Sequence, residues 1–129
     1  MSKQGVEAWH SLARARDTKA LAEILAEDAV FHSPVVHAPQ QGRDITHKYL
    51  SAAFVVLFND SFEYVREIVG EHDAMLEFSV ELDGIQVNGV DIIQWNERGQ
   101  IIDFKVMIRP LKAIDVVRNK MVEALQNQA

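Results

Sequence analysis

A chain of 129 residues with 48% hydrophobic and 25% charged side chains has an ordinary globular composition and enough length for one self-supporting core. Nineteen acidic against 13 basic side chains give a net charge of -6 with no Lys/Arg cluster, which argues against nucleic acid as a partner. Cysteine is absent, so disulfides, thiol nucleophiles and thiolate metal sites are excluded; no apolar run has signal-peptide or membrane-span length, and the expectation is a single cytoplasmic, soluble domain over 1–129 with no membrane partner.

Residues 3–15 place Val6, Trp9, Leu12 and Ala13 at helical spacing. Asp17 reads as the cap of a second short helix that carries Leu21, Ile24 and Leu25 inward. Ala29 to Ser33 is a short strand ended by Pro34, and the breakers between 35 and 42 make a loop. Residues 43–58 form a third helix with Ile45, Tyr49, Leu50, Ala53, Phe54 and Leu57 on its buried side. Strands follow at about 62–70 and 73–83, the second alternating Leu76, Phe78, Val80 and Leu82 with Glu77, Ser79 and Glu81.

Asp83-Gly84 is a hairpin signal leading into a strand that runs to Trp95. Asn88-Gly89 inside it reads as a bulge or kink, because Val87 and Val90 to Ile93 continue the strand. A turn at 96–99 leads into a last strand, 100–109. After Pro110 a final helix runs to about 127, with Ile114, Val117, Met121 and Leu125 on one face.

The order is therefore α-α-β-α-β-β-β-β-α. Four hairpin-linked strands with helices gathered on one face define an α+β fold. Such a mixed or antiparallel sheet, strongly curved and closed by helices, makes a cone with an apolar interior where small molecules bind.

Asp91 stands out. It shares a face with Ile93 and Trp95 in a strand that is apolar on both sides. An ionised carboxylate there is costly unless it is hydrogen-bonded, neutralised or beside a solvated cavity. Either it has a dedicated polar partner (the Trp9 indole N–H, the Tyr49 hydroxyl or a histidine) or it lines a pocket as an acid.

The element order, with Asp28-Ala-Val-Phe-His-Ser-Pro34, Gly42-Arg43, Gly89-Val-Asp91 and Gly99-Gln-Ile-Ile-Asp-Phe-Lys-Val106, resembles the nuclear transport factor 2-like superfamily. Within it, the chain is similar to the SnoaL-like and ketosteroid-isomerase-like branch, over nearly its whole length. The resemblance implies a cone-shaped, cystatin-like roll. It places Asp91 where ketosteroid isomerases keep a protonated aspartic acid that donates to the substrate oxyanion. Trp9 falls where those isomerases have an oxyanion-hole tyrosine, and Ser33 where they have the general base. The final strand ends Met107-Ile-Arg109-Pro110 rather than in the aspartate common to the cyclase and epoxide-hydrolase branches.

His32 and His37 flank the Ser33-Pro34 loop, so a His–Asp dyad with Asp91 would replace the missing base. Strand alternation sets His32 opposite Phe31 and Ser33 and leaves open which of them faces inward. His10, His47 and His72 read as surface. No ligand spacing supports a metal site, and no cofactor is implied. The apolar lining comprises Trp9, Tyr49, Phe54, Phe78, Ile93, Trp95, Phe104, Val106 and Ile108, either as packed core or as ligand wall. Trp9, Tyr49 and Trp95 carry polar atoms that need partners when buried and are the best candidates for ligand contact.

On the opposite sheet face Val90, Ile92 and Met107, with Arg109 at the rim, form an apolar patch expected to pair two copies as a homodimer. The functional expectation is a cone pocket for a small, mostly apolar carbonyl-bearing or aromatic metabolite. Cofactor-independent isomerase, lyase or cyclase chemistry would run through Asp91. The alternatives are a non-catalytic binding module and a dimerisation domain with a filled core.

Overall fold

The computed structural model describes residues 2–127. Helix α1 (Ser2–Ala15) buries Val6, Trp9, Leu12 and Ala13, as their spacing predicts. The chain reverses through Arg16 at φ 52°, and Asp17 then caps α2 (Thr18–Ile24) by accepting from the Ala20 N–H at 3.0 Å. Leu25 is the first residue of strand β1 (Leu25–His32), not the last of the helix, so the strand starts four residues before the expected Ala29. Its irregular burial explains the difference. Leu25 and Ala26 are buried, Glu27 and Asp28 exposed, and the register against the neighbouring strand shifts between Leu25 and Val30, which destroys the period-two signal.

A two-residue strand, β2 (Gln40–Gln41), pairs with β1 inside what the breakers mark as loop. Helix α3 (Arg43–Leu57) is fixed to β1 through one carbonyl. Ala29 accepts from the Thr46 hydroxyl at 3.2 Å and from the Gly42 N–H at 2.8 Å. Four hairpin-linked strands follow, β3 (Glu63–Val69), β4 (Asp73–Leu82), β5 (Ile85–Trp95) and β6 (Ile101–Arg109), then helix α4 (Leu111–Gln126). The sheet order is β2-β1-β6-β5-β4-β3, antiparallel throughout except where β1 runs parallel to β6. It is a mixed, curved sheet that does not close, which is the α+β architecture expected.

Leu76, Phe78, Val80 and Leu82 of β4 all point inward, as their alternation requires. One core joins them to Trp9 of α1, Leu21 of α2, Leu50 and Phe54 of α3, Phe104 of β6 and Val117 of α4. Each fully buried large side chain contributes about 1.5–3 kcal/mol of transfer free energy. The Asp83-Gly84 turn has both residues at positive φ, 52° and 79°, the conformation that matches hairpin twist.

The expected bulge at Asn88-Gly89 is not there. Pairing runs unbroken through Ser79 with Asn88, Phe78 with Gly89 and Gly89 with Ile108. Gly89 is required by packing instead: a Cβ there would overlap the Phe78 ring and lie 2.8 Å from the Met107 carbonyl oxygen. The register break on this strand falls between Gln94 and Trp95.

Candidate functional site

Strand β5 turns Asp91 inward together with Val87, Gly89, Ile93 and Trp95, and leaves it 5% exposed. Register sets it between Leu76 of β4 and Val106 of β6, both apolar, so neither cross-strand neighbour can satisfy a carboxylate. The partner comes from β3. The Tyr64 hydroxyl donates to Asp91 Oδ2 at 2.6 Å, and the indole Nε1–H of Trp9 donates to the Tyr64 oxygen at 2.9 Å.

Burial pushes the Asp91 carboxyl from 3.8 up to about 7, against the opposing pull of the Tyr64 hydrogen bond. Burial, then the neighbouring Asp91, push the Tyr64 phenol well above its ordinary range. The chain Trp9–Tyr64–Asp91 therefore has two useful states near neutrality. With Asp91 ionised, Tyr64 donates to it. With Asp91 protonated, the acid proton can be donated to the phenol oxygen or to a ligand carbonyl or oxyanion.

Asp91 borders a cavity of about 20 Å³ between the sheet and α3, walled by Trp9, Phe54, Phe78, Phe104 and Val106 together with Leu50, Ala53, Leu57, Phe58 and Phe62. That volume admits about one water and no metabolite. On the far side of Phe58, Phe62 and Tyr64 lies a cleft of about 460 Å³, also lined by His10, Ala13, Arg14, Arg16, Asn59 and Glu63. Its volume is of the order that small-molecule sites have. Phe58 and Phe62 line both spaces, with ring centroids 4.2 Å apart in a T-shaped contact, so these two rings are the wall between cleft and acid.

Of the expected lining, Trp9, Phe54, Phe78, Phe104 and Val106 surround the cavity. The other four do not. Tyr49 stacks on Phe31 at 5.5 Å, Ile93 and Trp95 are buried in the core with the Trp95 indole against Gly5, and half-buried Ile108 lines surface grooves.

The His–Asp dyad is also not formed. Phe31 faces inward and His32 outward, where His32 Nε2 lies 2.9 Å from Asp103 Oδ1. His37 is exposed in the loop after Pro34. Both histidines line a separate groove of about 450 Å³ with Ser33, Pro34, Lys105 and Met107. Ser33 accepts from the Val35 N–H at 3.1 Å. Among the described residues, the walls of the Asp91 cavity hold no histidine, lysine or second carboxylate, and no three His, Cys, Asp or Glu side chains converge as a metal set.

Tyr64, Phe58 and Phe62 escape a reading of the sequence, and so does the packing of His10, a partly exposed residue, against β3. Strand alternation on β3 held the one usable signal. It sets Phe62 and Tyr64 on one face, and one of the two tyrosines of the chain opposite Phe78.

The sequence matches the SnoaL-like domain over residues 6–104, and the chain belongs to that family. A steroid delta-isomerase from Pseudomonas aeruginosa has the same fold at a TM-score of 0.91, with 31% identity across 97% of this chain and 91% of that one. A protein conserved in bacteria with a cystatin-like fold, from Silicibacter pomeroyi, gives 0.87 with 28% identity across 96% and 86%. SalBIII, an epoxide hydrolase/cyclase-like enzyme of pyran ring formation in the polyether salinomycin, shares the fold alone, at 0.67 and 18% identity across 84% and 90%. No curated protein matches the sequence. The fold is that of the nuclear transport factor 2-like superfamily.

Proposed function

We propose that the protein binds a small, mostly apolar metabolite carrying a carbonyl or phenolic oxygen at the mouth of the cone, and that Asp91 with Tyr64 serves that oxygen in cofactor-independent acid/base chemistry of isomerase, lyase or cyclase type. The observation that carries this reading is the Asp91–Tyr64 hydrogen bond of 2.6 Å in an apolar enclosure, which holds a carboxyl poised near 7. The 460 Å³ cleft receives the body of the ligand, and displacement of Phe58 and Phe62 admits its oxygen toward Asp91. Likeness to a steroid delta-isomerase supports the class of chemistry and leaves the substrate open.

The test is direct. Protein purified without added ligand is crystallised and inspected for density between Phe62 and Asp91, and extracts of the same preparation are analysed by mass spectrometry. A carbonyl-bearing or phenolic compound released by the wild type and lost in Asp91→Asn supports the reading. Absence of any bound compound, with no binding of phenols or ketones in titration, removes it.

A second reading, a core filled by its own side chains in a domain that only dimerises, is favoured by one observation: the cavity beside Asp91 is only about 20 Å³. Dimerisation is part of the proposal under either reading. On the outer sheet face the register aligns Ile68, Met75, Ile92 and Lys105 in one row and Arg66, Glu77, Val90 and Met107 in the next. Met75, Met107 and Ile68 are 41%, 53% and 57% exposed, with Arg109 at the rim beside Asn88. A second copy covers this apolar patch about a two-fold axis.

A further inference from the structure

Among the described residues the site has a hydrogen-bond donor and an acid but no base inside the cone, since Ser33 is turned into the other groove and His32 is paired on the outer face. The cleft side of Tyr64 supplies what is missing. His10, one residue after Trp9 on α1, packs its imidazole edge-on to the Tyr64 ring at 5.0 Å between centroids. Its Nε2 lies 3.0 and 3.1 Å from the two carboxylate oxygens of Glu67, three residues along β3 from Tyr64. A carboxylate accepts only, so Nε2 carries the proton, and in the neutral ring Nδ1 holds the free lone pair. Among the described residues Nδ1 has no partner, and His10 lines the 460 Å³ cleft together with Tyr64.

We propose that His10, oriented by Glu67, is the proton-transfer base of this site, working in the cleft on a substrate whose oxygen is held by the Tyr64–Asp91 chain. This inference rests on the function proposed above. The order acid–phenol–imidazole–carboxylate repeats the logic of an activated base with an orienting partner, assembled from α1 and β3. In the step, His10 Nδ1 takes a proton from the carbon next to a carbonyl. The C–H electron pair becomes the enolate double bond, and the negative charge collects on the oxygen facing Tyr64. Return of the proton to another carbon of the conjugated system completes an isomerisation with no oxidant or cofactor consumed. His10 touches the substrate; Glu67 is a positioning residue.

A probe with the same demands tests this without the natural substrate. In 5-nitrobenzisoxazole a base removes the ring C–H proton, the electron pair forms the nitrile and the N–O bond breaks to a coloured phenolate. The wild type is expected to accelerate the reaction above buffer, and His10→Gln to lose about 100-fold of that rate, while both still bind 4-nitrophenol. Retained binding shows that the His10→Gln site is folded.

The charged and titratable groups facing His10 are Glu67, Tyr64, Arg14, whose Nε donates to the His10 carbonyl, and Arg16 and Glu63 of the same cleft. Glu67→Gln is expected to lower kcat with KM unchanged, since the imidazole loses the partner that fixes its orientation; an unchanged kcat removes Glu67 from the mechanism. Wild-type rates in His10→Gln, or a wild type no faster than buffer, overturn the base assignment. If 4-nitrophenol still binds and is weakened by Asp91→Asn, the binding reading survives that failure; if 4-nitrophenol does not bind either, both fall.

Discussion

Tyr64 and Asp91 come from strands that are not neighbours, β3 and β5, and their side chains meet at 2.6 Å across the inward face of β4. The reach is diagonal, from the row in which Tyr64 pairs with Phe78 to the adjoining inward row in which Leu76 pairs with Asp91. Curvature of the sheet brings the two oxygens together over apolar β4 side chains. The hydrogen bond thus reports both the shape of the fold and the chemical state of the acid.

Asp91 makes stability depend on pH in a defined direction. Its carboxyl rises from 3.8 in the unfolded chain to about 7 in the folded one, so the folded state binds more protons between those values. Stability from this group is complete below about pH 4 and is lost as pH rises to about 7, on the order of 4 kcal/mol in all. Urea midpoints of the wild type should fall across that window. Asp91→Asn, whose amide oxygen still accepts from Tyr64, should show a flatter profile there.

Tyr64→Phe removes the donor to Asp91 and the acceptor of the Trp9 indole in one step. Two buried polar groups lose partners, with an expected cost of about 1–3 kcal/mol for each left unsatisfied. Chemical denaturation checks this cost. Tryptophan fluorescence of the folded variant should change as well, because the Trp9 N–H has lost its acceptor.

Gly89→Ala is expected to destabilise the fold although it adds one methyl group. The new Cβ meets the Phe78 ring and stands 2.8 Å from the Met107 carbonyl, and backbone cannot yield as a side-chain tip would. Overpacking of this kind costs about 1–3 kcal/mol. A thermal melt that matches the wild type would show that Phe78 moves freely, and with it the wall of the Asp91 cavity.

On the outer face, Met107→Glu places a charge among Val90, Ile92 and Met75. Analytical ultracentrifugation should show a wild-type dimer and a variant monomer. A wild type that sediments as a monomer at all concentrations removes the pairing of two copies through this face.

The fold was legible because its signals are local. The period-two alternation of Leu76, Phe78, Val80 and Leu82, the Asp83-Gly84 turn and the Asp17 cap each survive into the structure unchanged. Asp91 was legible because a lone acid between apolar residues has few cheap environments. Its partner was not. Tyr64 lies 27 residues away and meets Asp91 only through sheet curvature, a non-local property that no window on the sequence contains. The facing of His32 stayed open because the register shift in β1 upsets the parity on which it depends, and Gly89 was read as a bulge because a close-packed glycine and a bulge glycine look alike in sequence.

Carbon-13 NMR of the Asp91 side-chain carboxyl, followed from pH 3 to 9 and assigned by its loss in Asp91→Asn, measures the property on which the proposed chemistry turns. The expected result is an inflection close to 7, moving higher in Tyr64→Phe because the hydrogen bond that favours the ionised form is gone. An inflection near 3.8, unmoved by Tyr64→Phe, would show an ordinary ionised carboxylate and contradict a poised acid at this site.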